Sequence, residues 1–200
     1  MHRARKRFGQ HFLRDFGIIR AIINALNPQA EEVIVEIGPG LGALTLPLLA
    51  QQKKLIAIEL DKDVIPILAQ RSQSLGSLKI YQGDVLNFDF TTLVTEQKLR
   101  LVGNLPYNIS TPLLFHLLQN PELFIDMHFM LQLEVAERMA AEVNTAAYGR
   151  LSVMLQLYFT IEKLFDVPPE AFDPPPKVNS AVVRLRPRTA SLVEKIKNLN

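Results

Sequence analysis

The run Val33-Ile34-Val35-Glu36-Ile37 passes directly into Gly38-Pro39-Gly40-Leu41-Gly42-Ala43, with helix-forming residues close behind. A β-branched run of this kind favours a strand, and glycines set straight after it let the chain turn tightly while leaving the main chain open to a ligand. Strand, glycine loop and helix in succession are the opening of a βαβ unit, and the rest of the chain repeats that alternation. Leu55–Leu60, Leu78–Tyr81, Leu99–Val102, Met127–Leu131 and Ala181–Leu185 read as further strands. Between them Leu41–Gln51, Asp63–Arg71, Thr111–Leu118 and Glu134–Glu142 carry apolar residues at helical spacing, with Asp63 and Ser110 placed as N-caps. The expected fold class is therefore α/β, a doubly wound, mostly parallel sheet with helices on both faces.

Other features narrow the class of function. With 200 residues and 48% hydrophobic content, one main domain is expected. The absence of cysteine removes disulfides, iron–sulfur clusters and cysteine-based zinc sites. His2, His11, His116 and His128 show no metal-ligand spacing, so no metal is expected. No apolar run approaches the length of a membrane span and the N-terminus lacks a signal-peptide core, which points to a cytoplasmic protein without a membrane partner. Net charge is only +2, but Arg3, Arg5, Lys6, Arg7, Arg14 and Arg20 stand against a single acid, Asp15, at the start of the chain. Lys177, Arg184, Arg186 and Arg188 cluster near its end. Such segments either neutralise nucleic-acid phosphates or form solvated tails, and charge alone does not separate the two. The prolines of Val167–Pro176 predict a stiff loop leading into the last strand, and Ala190–Leu199 reads as a short amphipathic helix.

Three features converge on the carboxyl edge of the sheet, where ligands of such folds bind. Gly38 and Gly40 form the loop, and Glu59 ends the second strand about twenty residues on, placed to accept hydrogen bonds from ribose hydroxyls. Asp84 ends the third strand, where it either takes an adenine amino group or simply caps a turn. The set suits an adenosine-containing cofactor but does not separate NAD from S-adenosylmethionine. Gly103-Asn104-Leu105-Pro106-Tyr107-Asn108 follows the fourth strand. Pro106 stiffens an exposed turn, the Asn104 amide and the Leu105 carbonyl offer acceptors for an exocyclic amine, and Tyr107 offers a face for a base. Holding both amine hydrogens as the nitrogen becomes tetrahedral favours the transition state of methyl transfer. The plainer alternative is an ordinary turn with a buried tyrosine.

Gly103–Thr111, reading Gly-Asn-Leu-Pro-Tyr-Asn-Ile-Ser-Thr, closely resembles the catalytic motif of the KsgA/Erm family of ribosomal RNA adenine N6-dimethyltransferases. The resemblance extends to Lys6–Leu13, the glycine loop, Met130–Met139, Tyr148–Met154 and Ala171–Leu185. It implies a Rossmann-like class I methyltransferase domain over residues 1–188, with a seven-stranded sheet, a basic arm at 1–14, and the start of a truncated C-terminal helical domain at 189–200. It implies S-adenosylmethionine as cofactor and S-adenosylhomocysteine as product, held by His11, Leu13, Gly38, Gly40, Glu59, Asp84 and Asn104. Asn104, Leu105, Pro106 and Tyr107 form the transfer site, with Phe172 as the second aromatic of the target-base pocket, opposite Tyr107. Arg3, Arg5, Lys6 and Arg7 are the expected RNA contacts of a monomeric enzyme. The Asn-Leu-Pro-Tyr motif and the arm are more similar to the members that dimethylate two adjacent adenines near the 3′ end of small-subunit RNA. The resistance-type members act on large-subunit RNA. Two readings outside the family are an NAD-dependent oxidoreductase and a non-catalytic RNA-binding assembly factor.

Overall fold

A computed structural model describes residues 11–189. In chain order its elements are β1 (Phe12–Leu13), α1 (Phe16–Leu26), β2 (Val33–Ile37), α2 (Thr45–Gln52), β3 (Lys54–Glu59), α3 (Ile65–Ser72), β4 (Ser77–Gln82), β5 (Leu99–Asn104), α4 (Tyr107–Leu117), β6 (Phe124–Gln132), α5 (Leu133–Met139), α6 (Arg150–Tyr158), β7 (Phe159–Val167), β8 (Phe172–Asp173) and β9 (Ser180–Pro187). Seven strands form one sheet in the order β4-β3-β2-β5-β6-β9-β7. All neighbours pair in parallel except β6–β9 and β9–β7, so β9 alone runs backwards.

The central strands bury both faces, as parallel sheets require. Val35 and Ile37 of β2, Leu99 and Leu101 of β5, and Met127, Phe129 and Leu131 of β6 join the apolar cluster under α4, α5 and α6. The alternate residues Ile34, Val102 and Met130 join the cluster under α1 and α2. Helix α1 shows why the second face closes. Ile19, Ile22 and Leu26 form its buried stripe, and the Asp15 side chain accepts from the Ile18 N–H at 3.0 Å to satisfy the first turn.

Several expected boundaries shift for identifiable reasons. Helix α2 starts at Thr45 rather than Leu41, because Gly42, at φ 90°, still lies outside the helical region. Asp63 does not cap α3. That helix begins beyond Val64 with a proline in its first turn, which has no N–H to satisfy, while the Asp63 N–H donates to Asp61 Oδ1 at 3.2 Å. Ser110 does not cap α4 either, since the helix already starts at Tyr107 and the Ser110 hydroxyl donates back to the Tyr107 carbonyl at 3.0 Å. Strand β7 escaped the sequence reading because its register shifts between Lys163 and Phe165, which breaks the period-two alternation. The proline-rich segment is a loop as expected, but it also contains β8, which pairs antiparallel with β1 of the N-terminal arm. The basic residues Arg3, Arg5, Lys6 and Arg7, and the Ala190–Leu199 helix, lie outside the described residues.

Candidate active site

The carboxyl ends of β2, β3, β4 and β5 open onto a cavity of about 850 Å³. The glycine loop forms its floor through backbone geometry. Gly38 and Gly40 have φ of 64° and 52°, and a side chain at Gly40 would meet the Phe12 ring of the arm at 3.1 Å. Glu59, at the end of β3 and 7% exposed, holds that loop in place. Its Oε2 accepts from the Gly40 N–H at 3.0 Å and its Oε1 from the Asp61 N–H at 2.8 Å. Each carboxylate oxygen has a second lone pair, so capacity remains for two hydroxyl donors of a ligand. Burial raises the Glu59 pKa, and the two N–H bonds offset part of the rise. Asp84, at the end of β4, caps a single turn through Oδ1, which accepts from the Leu86 N–H at 3.0 Å, and it also lines the cavity.

Asn104 ends β5 and Tyr107 opens α4, so both sit on rigid elements rather than on a free turn. Between them Leu105 is buried and its N–H donates to the Met130 carbonyl at 3.0 Å. The Asn104 Nδ2 donates to the His11 carbonyl at 2.9 Å, which turns the amide so that Oδ1 is left as an acceptor. Tyr107 is fixed at both ends. Its hydroxyl shares a 2.7 Å hydrogen bond with Ser180 Oγ on β9, and its ring stacks on the His11 imidazole at 5.7 Å between centroids and 28° between planes. Burial raises the Tyr107 pKa, more than its bond to Ser180 lowers it.

His11 is anchored in turn by its Nδ1–H, which donates to the Pro174 carbonyl at 2.8 Å. The arm is clasped further by the Arg14–Asp173 ion pair at 2.9 Å and by the Arg14 and Asp15 N–H groups, which donate to the Ala171 carbonyl at 2.8 and 3.2 Å. His11, Leu13, Gly38, Gly40, Glu59, Asp84, Asn104, Leu105, Pro106 and Tyr107 thus line one cavity. Phe172 does not. It pairs with Leu13 across β1 and β8, is 4% exposed, and packs in the cluster beneath α1, so its ring does not stand opposite Tyr107. Among the described residues no cluster of side chains suits a metal ion, and no helix is long and apolar enough to cross a membrane.

Two residues of the site were missed in the sequence. Ser180 is visible only through its contact with Tyr107. Glu36 carried a signal: an acid inside a buried strand, two residues before the glycine loop. It lines the cavity, is 2% exposed, and its Oε2 has no hydrogen-bond partner. Burial pushes its pKa up to about 8; Thr45 pulls the other way, and the neighbouring Glu59 charge adds to the rise.

This sheet order, with one reversed strand, a glycine loop after β2 and an acid at the end of β3, defines a Rossmann-like class I methyltransferase domain. The sequence matches the family described as Ribosomal RNA adenine dimethylase over residues 1–200, and the chain belongs to that family. It is 60% identical over 196 residues to the Ribosomal RNA small subunit methyltransferase A of Thiobacillus denitrificans, covering 98% of this chain and 76% of that protein. It is 58% identical to the same-named protein of Nitrosococcus oceani, with 98% and 74% covered. Among solved structures, a dimethyladenosine transferase from Plasmodium falciparum superposes with a TM-score of 0.81 at 35% identity, covering 92% of this chain and 66% of that one. The 23S rRNA methyltransferase ErmE gives 0.78 at 27% identity, with 90% and 71% covered.

Proposed function

We propose that this protein transfers methyl groups from S-adenosylmethionine to N6 of two adjacent adenosines near the 3′ end of small-subunit ribosomal RNA, giving N6,N6-dimethyladenosine. The observation that carries this reading is the Asn104 amide, oriented by the His11 carbonyl so that its oxygen is the acceptor at the cavity edge. Together with the Leu105 carbonyl it accepts the two N–H groups of the target amine. These bonds strengthen as the nitrogen lone pair leaves conjugation and the amine becomes tetrahedral, so they favour the transition state over the flat ground state. Tyr107 presents a rigid face for the base, and the imidazole now stacked there indicates that a flat heterocycle suits it. Its phenol stays neutral, with a raised pKa and a hydroxyl bonded to Ser180, so it acts as a platform and not as a base.

The acids of the cavity favour this cofactor over a dinucleotide. Glu59 and Asp84 suit the positive charge of a sulfonium and an ammonium and the hydroxyls of one ribose, whereas a pyrophosphate there would meet like charge; Glu36, which keeps its proton near neutral pH, adds hydrogen-bonding capacity rather than charge. Bound S-adenosylmethionine supplies a methyl group on a positively charged sulfur, already activated for in-line transfer. Family membership and the relatives' identities support the small subunit as the RNA partner, and a ribosomal substrate fits a cytoplasmic setting.

The test is methyl transfer from labelled cofactor to unmodified small subunits, naked small-subunit RNA and naked large-subunit RNA, followed by nucleoside mass analysis. Dimethyladenosine in small-subunit RNA is expected. Its appearance only in large-subunit RNA would overturn the substrate assignment, and thermal stabilisation by NAD but not by S-adenosylmethionine would overturn the cofactor.

A further inference from the structure

One feature at the mouth of the cavity has no role in methyl transfer itself. Phe16, the first residue of α1, is 82% exposed. It does not belong to the buried stripe of its helix. With Ile19, Arg20 and Ile23 it forms the helix face that lines the cavity, at the i, i+3, i+4 and i+7 spacing of a single face. Its position is also fixed. The Asp15 cap and the two N–H groups bonded to the Ala171 carbonyl tie the start of α1 to the core, so the ring stands on a rigid base.

We infer that Phe16 is a stacking platform for a nucleotide adjacent to the target adenosine, and that Arg20 contacts the phosphate beside it. This rests on the proposed RNA substrate. An extruded adenosine brings its neighbours to the rim of the cavity with their base faces unstacked, and a base stacks on an aromatic ring without regard to its identity. The charges around the ring favour a polyanion. Asp15 is turned into the helix as its cap, and Asp173 is closed by Arg14, whose side chain remains 57% exposed. Arg20 is exposed and, among the described residues, has no acid within ion-pair distance. Arg71, which also lines the cavity, is committed to the Leu41 carbonyl at 2.5 Å. A rigid exposed ring with a cation one helical turn away is the pairing that single-stranded RNA uses: stacking for the base, charge for the phosphate.

The test uses Phe16→Ala, Phe16→Trp and Arg20→Gln, measuring equilibrium binding of fluorescent small-subunit RNA and calorimetric affinity for S-adenosylhomocysteine. Phe16→Ala should weaken RNA binding roughly 5- to 150-fold, the range for one stacked base, with cofactor affinity and melting temperature unchanged. Phe16→Trp should retain RNA affinity, and Arg20→Gln should lower the slope of log affinity against log salt by about one. Unchanged RNA affinity in Phe16→Ala overturns the inference. So does an equal loss of cofactor affinity, which would make the ring a cover for the cofactor. A defect seen only on assembled subunits and not on naked RNA also overturns it, since the ring would then meet a ribosomal protein. If the unsubstituted protein neither binds nor methylates small-subunit RNA, the proposed function fails; if it does both and Phe16→Ala behaves like it, only this inference fails.

Discussion

Arg100 and Asn104 lie at opposite ends of strand β5, and the two ends treat buried polar groups in opposite ways. At the amino end the guanidinium of Arg100 is closed on every side. Nε and Nη2 donate to the two carboxylate oxygens of Asp126 at 2.8 and 2.7 Å, Nη1 donates to Glu32 Oε2 at 2.7 Å, and Nη2 also reaches the Leu26 carbonyl at 2.6 Å. At the carboxyl end Glu36 keeps an oxygen without a partner, Glu59 keeps spare lone pairs, and the Asn104 amide shows its acceptor to the cavity. One sheet therefore carries a satisfied end that fastens α1 to the core and an unsatisfied end poised for ligand. Unmet polarity alone does not mark function, since both ring nitrogens of buried His128 and Arg184 Nε also lack partners; what sets the carboxyl end apart is that its open acceptors converge on one cavity.

The comparison breaks most readily at the satisfied end. Asp126→Ala leaves the Arg100 charge buried beside an apolar hole and should cost about 3–5 kcal/mol in chemical denaturation, while Arg100→Met combined with Asp126→Leu should recover most of that. At the other end Asn104→Ala should lower methyl transfer about 10²- to 10³-fold in single turnover, the amount typical of one lost transition-state acceptor or donor. Folding should be unaffected and cofactor affinity changed far less than transfer. Equal losses in affinity and transfer would make Asn104 a binding residue only.

The titration of the buried groups sharpens the contrast. Glu36 holds its proton up to about pH 8 in the folded state against 4.5 unfolded, so the folded protein binds more protons between those values and stability falls as pH rises through that window. Glu36→Gln should remove this slope and gain on the order of 4 kcal/mol at pH 8, with almost no gain near pH 4.5. His128, on β6 beside Asp126, has the opposite sign. Burial lowers its pKa to about 4, more than Asp126 raises it, so its contribution is lost as pH falls from 6.5 towards 4. Urea midpoints across pH 4–8 would show both limbs. The smallest effect is expected at the arm, where Arg14→Ala removes an exposed ion pair worth under about 1 kcal/mol of stability. Any larger change should appear in cofactor affinity, through a loosened clasp over the loop.

The parts of the molecule legible in the sequence are those specified by local pattern. Strands β2 to β6 and β9 were readable because their apolar runs are bounded by turn residues, and the Gly38–Gly40 loop, Glu59, Asp84 and Asn104 were readable because each lies at or just beyond the carboxyl end of a strand. The boundaries were less so. The loop glycines delay α2, and Asp63 and Ser110 look like caps beside helices that begin elsewhere. Strand β7 was hidden by its bulge, since a single extra residue destroys the alternation on which strand reading depends.

What the sequence by itself determined is the α/β class and a cofactor edge built from loop and strand ends, because backbone conformation and side-chain period are local properties of the chain. Only the tertiary structure decided that the His11 carbonyl orients the Asn104 amide across 93 residues, that His11 stacks on Tyr107, and that Phe172 pairs with Leu13 and is buried in the core. Those outcomes depend on which distant segments meet and at what register. Long-range pairing is selected by the packing of the whole core, and no local pattern encodes it.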